Sequence, residues 1–221
     1  VIEVYKANMI IPQLASNKSK SGGVVIPERC PVCQGATEIR DENDVKALYC
    51  SNPLCSAKQV KSFGHFVSRD AMNIDGMSEA TIEKLIAKGI VHSKGDMFRL
   101  ADHKETIETM DGFGEKSYTK LIAAVENSKM VRLENFIYAL GILNVGISNA
   151  RLLCKHYKND LKKIMEAEVE VLVDIEGFGG IIAKSLYEYF HHEETLTVLN
   201  DLLSYISFEK VEDNQLEQRL E

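Results

Sequence analysis

The sequence predicts a mainly α protein: four helix–hairpin–helix units in one compact helical domain, preceded by a small β finger built on a metal. Two observations carry that expectation. A five-residue motif recurs four times between residues 74 and 179, each time leading into a helix-period stripe. Four of the five cysteines stand as two short knuckles between residues 30 and 55. A chain of 221 residues, 45% hydrophobic and 27% charged, has an ordinary globular composition and room for two or three small domains.

Residues 1–28 open in a strand pattern, with apolar Val1, Ile2 and Val4. Glu3 and Lys6 interrupt the apolar stretch, so it is not a secretory signal. With no initiator Met and a start in mid-strand, an excised piece of a longer protein is expected. No apolar run reaches the length of a bilayer span, and a reducing, cytoplasmic setting is expected.

Residues 29–61 form the finger. Cys30 and Cys33 are separated by two residues, Cys50 and Cys55 by four, with sixteen residues between the pairs. This is the spacing of a four-thiolate zinc site, Cys30, Cys33, Cys50 and Cys55. Pro31 stiffens the first knuckle and Asn52-Pro53 turns the second. Between them, two short strands about Asp41–Asp44 have almost no core, so ligation must supply the folding energy, roughly 10 kcal/mol or more. Four thiolates leave no open position, and the ion is expected to be structural. Disulfides and unpaired core thiols are the alternatives. Cys154, in a helical stretch, reads as a buried small hydrophobe. The six histidines form no metal cluster.

Residues 62–205 carry the repeat. IDGMS, MDGFG, ILNVG and IEGFG start at Ile74, Met110, Ile142 and Ile175. Their fifth residues, Ser78, Gly114, Gly146 and Gly179, lie 36, 32 and 33 apart. Seven residues later stands Leu85, Leu121, Leu153 or Leu186, and four later Ile82, Tyr118, Ala150 or Ala183, one helical stripe each time. An amphipathic run precedes each unit, clearest in Leu133, Phe136, Ile137 and Leu140. Thr106 and Ser148 read as helix starts, Gly89 and Gly95 as stops.

Two uses explain the small residues. A loop of about three residues between packed helices needs positive φ at one or two positions, which Gly adopts freely. Bare backbone at a helix N-terminus also exposes N–H groups to an anion. Four repetitions favour the second use: hairpins paired two by two, gripping duplex phosphates without reading bases. Gly76, Gly112, Gly114, Gly146, Gly177 and Gly179 are the backbone candidates, with Lys116, Asn149 and Lys184 early in their helices. The first unit departs from the pattern at Ser78 and the third at Asn144; Glu176 weakens the fourth for phosphate.

Net charge is −7, yet residues 158–221 account for −9, residues 71–157 for zero, and residues 1–28 and 29–70 for +1 each. The acidity is therefore confined to the last third, residues 206–221 reading as an acidic linker or tail, and it does not exclude a polyanion partner. Absent Trp and core-placed aromatics argue against single-strand stacking.

Four cysteines followed by four such units resemble the C-terminal half of bacterial NAD-dependent DNA ligase over residues 1–205. The matching stretches are IIPQ, CPVC, HFVSRDAMNIDGM and FIYALGILNVG. The resemblance implies that residues 1–28 end an OB-fold barrel, that the finger links it to the helical domain, and that a BRCT domain follows. No BRCT sequence occurs here, and the final Leu220-Glu221 is compatible with a cloning scar. In that family the lysine of a KxDG motif takes AMP from NAD, with Mg2+, to seal nicks in replication and repair. KxDG is absent, Asn73-Ile74-Asp75-Gly76 being the nearest echo, so no catalytic residue, NAD or Mg2+ site is expected in this chain. It is expected to hold double-stranded, nicked DNA independently of sequence, as a monomer, with Arg69 a further DNA or interdomain contact. The alternatives are a helix–hairpin–helix module of a non-ligase repair or junction protein, and a zinc-stapled protein scaffold.

Overall fold

The structure, a computed structural model, describes residues 1–7, 11–20, 25–42 and 45–210. The centre of the finger's strand turn, Asn43-Asp44, and the tail from Val211 lie outside them. The chain divides into two compact units, Val1–Cys55 and the part from Ser56 onward.

In the first unit β1 (Ile2–Ala7) pairs antiparallel with β2 (Ile11–Asn17), Tyr5 opposite Gln13, with an irregularity between Glu3 and Val4. Two-residue periodicity gives the pairing, but Ile2, Val4 and Leu14 are exposed. β3 (Thr37–Glu42) and β4 (Val45–Cys50) form the finger's antiparallel ribbon. Its register puts Thr37 opposite Cys50, which carries the second knuckle back to the first.

The second unit is helical. Its units are α1 (Ser56–Val67) with α2 (Glu79–Ala87), α3 (Lys104–Glu108) with α4 (Glu115–Ser128), α5 (Leu133–Leu140) with α6 (Ile147–His156), and α8 (Val169–Val173) with α9 (Gly180–His191). A 3-10 helix, Gly95–His103, runs directly into α3, and α7 (Leu161–Met165) and α10 (Glu193–Leu203) fill the remaining flanks. The repeat's stripe is the core: Leu85, Leu121, Leu153 and Leu186 are at most 2% exposed, and Ile82, Ala150 and Ala183 are fully buried. Burying four such stripes is the main stabilising term, about 1.5–3 kcal/mol for each large side chain. A two-strand parallel pair, β5 (Met130–Val131) with β6 (Ser207–Phe208), returns the chain after α10 to the end of α4. Cys154 is buried as expected, and burial, helped by Glu134, pushes its thiol pKa up.

The expected helix starts and stops hold in part. Gly89, at φ +68°, follows α2 as its stop. Gly95 ends nothing: it begins the 3-10 helix and is buried against Asp201, whose carboxylate occupies the space a Cβ would need. Thr106 lies inside α3, because the preceding 3-10 turn has already wound the chain. Ser148 is the second residue of α6, which starts at once from the corner at Gly146. Among the described residues no helix is long and apolar enough to cross a membrane.

Candidate nucleic-acid interface and metal centre

Two knuckles bring the four cysteines together. The Cys30 N–H donates to Gly35 O at 2.8 Å and the Gln34 N–H to Cys30 O at 2.9 Å, closing the first knuckle with Gln34 at φ +59°. In the second, Asn52 Oδ1 accepts from the Leu54 N–H at 2.9 Å and Asn52 O from the Cys55 N–H at 3.3 Å, the side-chain-closed turn that Asn-Pro favours. The Sγ atoms of Cys30, Cys33, Cys50 and Cys55 all lie within 4.8 Å of one another. Cys33 and Cys50 are 3.5 Å apart and Cys30 and Cys55 3.9 Å. Thiolates at 2.3 Å from a tetrahedral zinc stand about 3.8 Å apart, so the set fits such an ion.

Proton affinities within the set are uneven. The Gly35 N–H, 3.4 Å from Cys33 Sγ, and the Asn52 side chain hold the Cys33 thiol down to about 6. Burial pushes Cys50 up to about 11. A bound cation would have to displace the Cys50 proton, which couples affinity to pH. Sequence reasoning missed Gly35. An added Cβ there would stand 2.9 Å from Asn52 Cβ, so only glycine lets the two knuckles close on each other.

The hairpins separate the two uses of small residues. Gly76, Gly112 and Gly177 sit at φ +84°, +80° and +85°, and Asn144 at +64°. Turn hydrogen bonds close three of the loops: Phe113 N–H to Met110 O (2.9 Å), Val145 N–H to Ile142 O (3.1 Å) and Phe178 N–H to Ile175 O (2.9 Å). The apolar first and fourth residues are buried and anchor each loop, except that Phe113 is only half-buried. The first small residue is therefore a turn requirement.

The second small residue is different. Gly114, Gly146 and Gly179 are extended N-caps of α4, α6 and α9, where any residue is allowed, and an added Cβ would meet nothing within 4 Å. The fold does not demand glycine at these corners. Helix geometry leaves the first N–H groups of each following helix without an intrahelical acceptor. At the first hairpin Ser78 Oγ takes the Thr81 N–H at 3.2 Å, so that corner is already capped.

The hairpins pair as expected. Gly76 lies against Leu121 of the second unit's helix and Gly112 against Lys84 of the first's. Lys84 Nζ donates to Asp111 O at 2.5 Å. Gly177 lies against Leu152, and Asn144 Nδ2 donates to Ser185 Oγ at 3.4 Å. Of the side-chain candidates, Lys116 is exposed on the first turn of α4, and Lys184 is exposed but 3.6 Å from Glu188. Asn149 is half-buried and donates to Asn144 O at 3.2 Å, bracing its own loop. Arg69 lines another groove, with Asn127, Arg132 and Asn135. Sequence reasoning missed Lys120, which lines the cleft between the first two hairpins with Asp75, Gly76 and Gly112. It stands six residues after its corner, as Lys84 does, an offset the repeat made visible.

Two side chains hold the third hairpin from behind. The His65 Nε2–H donates to Tyr138 O at 2.7 Å, and Lys94 Nζ donates to Leu140 O at 2.8 Å. Both meet the carbonyl end of α5, where the helix dipole favours the positive charge of Lys94.

Residues 135–199, spanning the third and fourth units, match the family model of a helix-hairpin-helix motif. The chain is 53% identical over 211 residues, 96% of its length, to a protein named DNA ligase from Lachnoclostridium phytofermentans. Over that stretch it is homologous to proteins named DNA ligase. A DNA ligase of Ruminiclostridium cellulolyticum is 49% identical over 220 residues, the whole chain. The chain spans about a third of each of these ligases, 32% and 34% of their lengths. The finger, whose four cysteines could hold a metal ion, lies within the matched stretch, as do all four hairpins.

Proposed function

We propose that this chain is the non-catalytic DNA-holding part of an NAD-dependent DNA ligase, gripping duplex phosphates so that the rest of the enzyme can seal nicks. One observation carries the reading. Gly114, Gly146 and Gly179 are small without any need of the fold, at helix N-termini where an added Cβ would meet only open space. Bare amides there admit a phosphate oxygen to hydrogen-bond distance, and the helix dipole adds to the attraction. Such contacts recognise backbone and not bases, so binding is sequence-independent and holds two ends in line. The first hairpin, capped by Ser78, packs more than it binds. Lys116 and Lys120 supply charge near the second corner, and Arg69 with Arg132 supplies it on the separate groove.

In this reading the thiolates of Cys30, Cys33, Cys50 and Cys55 hold a structural zinc, and residues 1–28 end an OB-fold barrel. NAD, Mg2+ and the adenylated lysine belong to the remainder of the ligase, which works as a cytoplasmic monomer. The non-ligase alternative loses ground because ligases match the finger and hairpins together.

Titration of nicked and intact duplex across salt tests the proposal. The cations beside these corners and on the separate groove, Lys116, Lys120, Arg69 and Arg132, predict binding that weakens with salt, by roughly 0.9 in the log–log slope for each phosphate they neutralise. A flat salt response removes the reading.

A further inference from the structure

The four hairpin tips are chemically unequal. Their second residues are Asp75, Asp111, Leu143 and Glu176. Leu143 is 75% exposed, an aliphatic side chain in water where the equivalent residues are acids. A second such residue belongs to the fourth unit, whose helix the third hairpin meets. Ile181, on the first turn of α9, is 71% exposed, where the other units carry Ala80, Lys116 and Ser148. The Asn144–Ser185 hydrogen bond sets the Leu143 tip against α9, and Ile181 lies one turn before Ser185 on the same helix face. Open corners stand close by in the chain: Gly146 three residues after Leu143, and Gly179 and Gly180 just before Ile181. Across a groove from Leu143 stand Lys61 and His65 of α1.

We propose that Leu143, supported by Ile181, is an apolar wedge that enters the minor groove of the duplex held by the third and fourth hairpins. This rests on the DNA-holding reading above. With the corners of both hairpins on phosphates, an exposed tip of the same pair faces the space between the two strands, which in the minor groove is walled by deoxyribose C–H groups. Apolar side chains enter that groove, and acids are repelled by the flanking phosphates. The acidic tips of the first pair, Asp75 and Asp111, therefore stay outside, and Glu176 keeps the wedge to one tip of its own pair. Lys61 and His65 line the path of the strand that passes Leu143.

The test measures duplex affinity of the full chain against salt for wild type, Leu143→Asn, Leu143→Met and Ile181→Asn. The proposal expects Leu143→Asn to bind roughly tenfold more weakly at every salt concentration, from lost apolar burial. Its log–log slope should be unchanged, because no phosphate contact is removed. Leu143→Met should retain wild-type affinity, Ile181→Asn should lose part of it, and all should melt as wild type does. Wild-type affinity in Leu143→Asn, or a slope reduced by about one phosphate, overturns the wedge alone. If the wild-type chain shows no duplex affinity, the DNA-holding reading falls with it.

Discussion

Gly112 and Gly114 are two residues apart in one loop and do different jobs. Gly112 at φ +80° makes the turn, whereas Gly114 is extended with open space around it. Gly112→Ala should therefore cost about 1–2 kcal/mol in chemical denaturation. Gly114→Val and Gly146→Ala should leave folding within about 1 kcal/mol of wild type while weakening duplex binding severalfold or more, most for the branched side chain. If Gly146→Ala binds as wild type does, that corner is only a turn. The repeat made these glycines visible, but a sequence written GFG does not say which one carries positive φ. Lys94 was not legible at all, since its partners, Ala139 and Leu140, are over 40 residues away. Burial holds its ammonium down to about 8. Between pH 8 and its unfolded value near 10.4 the unfolded chain binds the extra proton, so Lys94 makes stability rise with pH there. Equilibrium unfolding of Lys94→Met should lack that rise.

The finger was the most legible element, because metal chemistry fixes cysteine spacing directly. Its closure was not, since Gly35 meets Asn52 only after folding. Verified metal removal, or Cys50→Ser, should unfold residues 29–55 and leave the helical signal of the part from Ser56 intact; unchanged finger resonances after metal removal would refute the zinc assignment. Gly35→Ala should weaken metal binding with every ligand present. Within the helical unit, Asp96 fastens the entry to the 3-10 helix by accepting the His92 and Ser93 N–H groups at 2.8 Å each. Partial burial raises its pKa, but those N–H groups and Arg99 outweigh it and bring the carboxyl down to about 2. Its contribution is complete above the unfolded value near 3.9 and fades as pH falls toward 2. Asp96→Asn should flatten that part of an acid titration. Helix starts were less legible: Thr106 and Ser148 carry the right chemistry, but the preceding 3-10 turn and the anchored loop decide where winding begins.

For the molecule as a whole, the four-unit repeat and its pairing followed from the spacing of Leu85, Leu121, Leu153 and Leu186, because a shared buried stripe permits few arrangements. The parallel strand pair and the flanking helices α7 and α10 had no comparable signature, being short and tied to distant residues. Net charge of −7 with a −9 final third means that duplex should engage the corners and not the C-terminal third's acidic faces. Backbone amide shifts of the chain titrated with a short duplex test this most directly. The account predicts the largest changes at residues 114–117, 146–149 and 179–182, with Gly35 and the finger unmoved. Shifts confined to the finger or to α10, with those three corners silent, would contradict it.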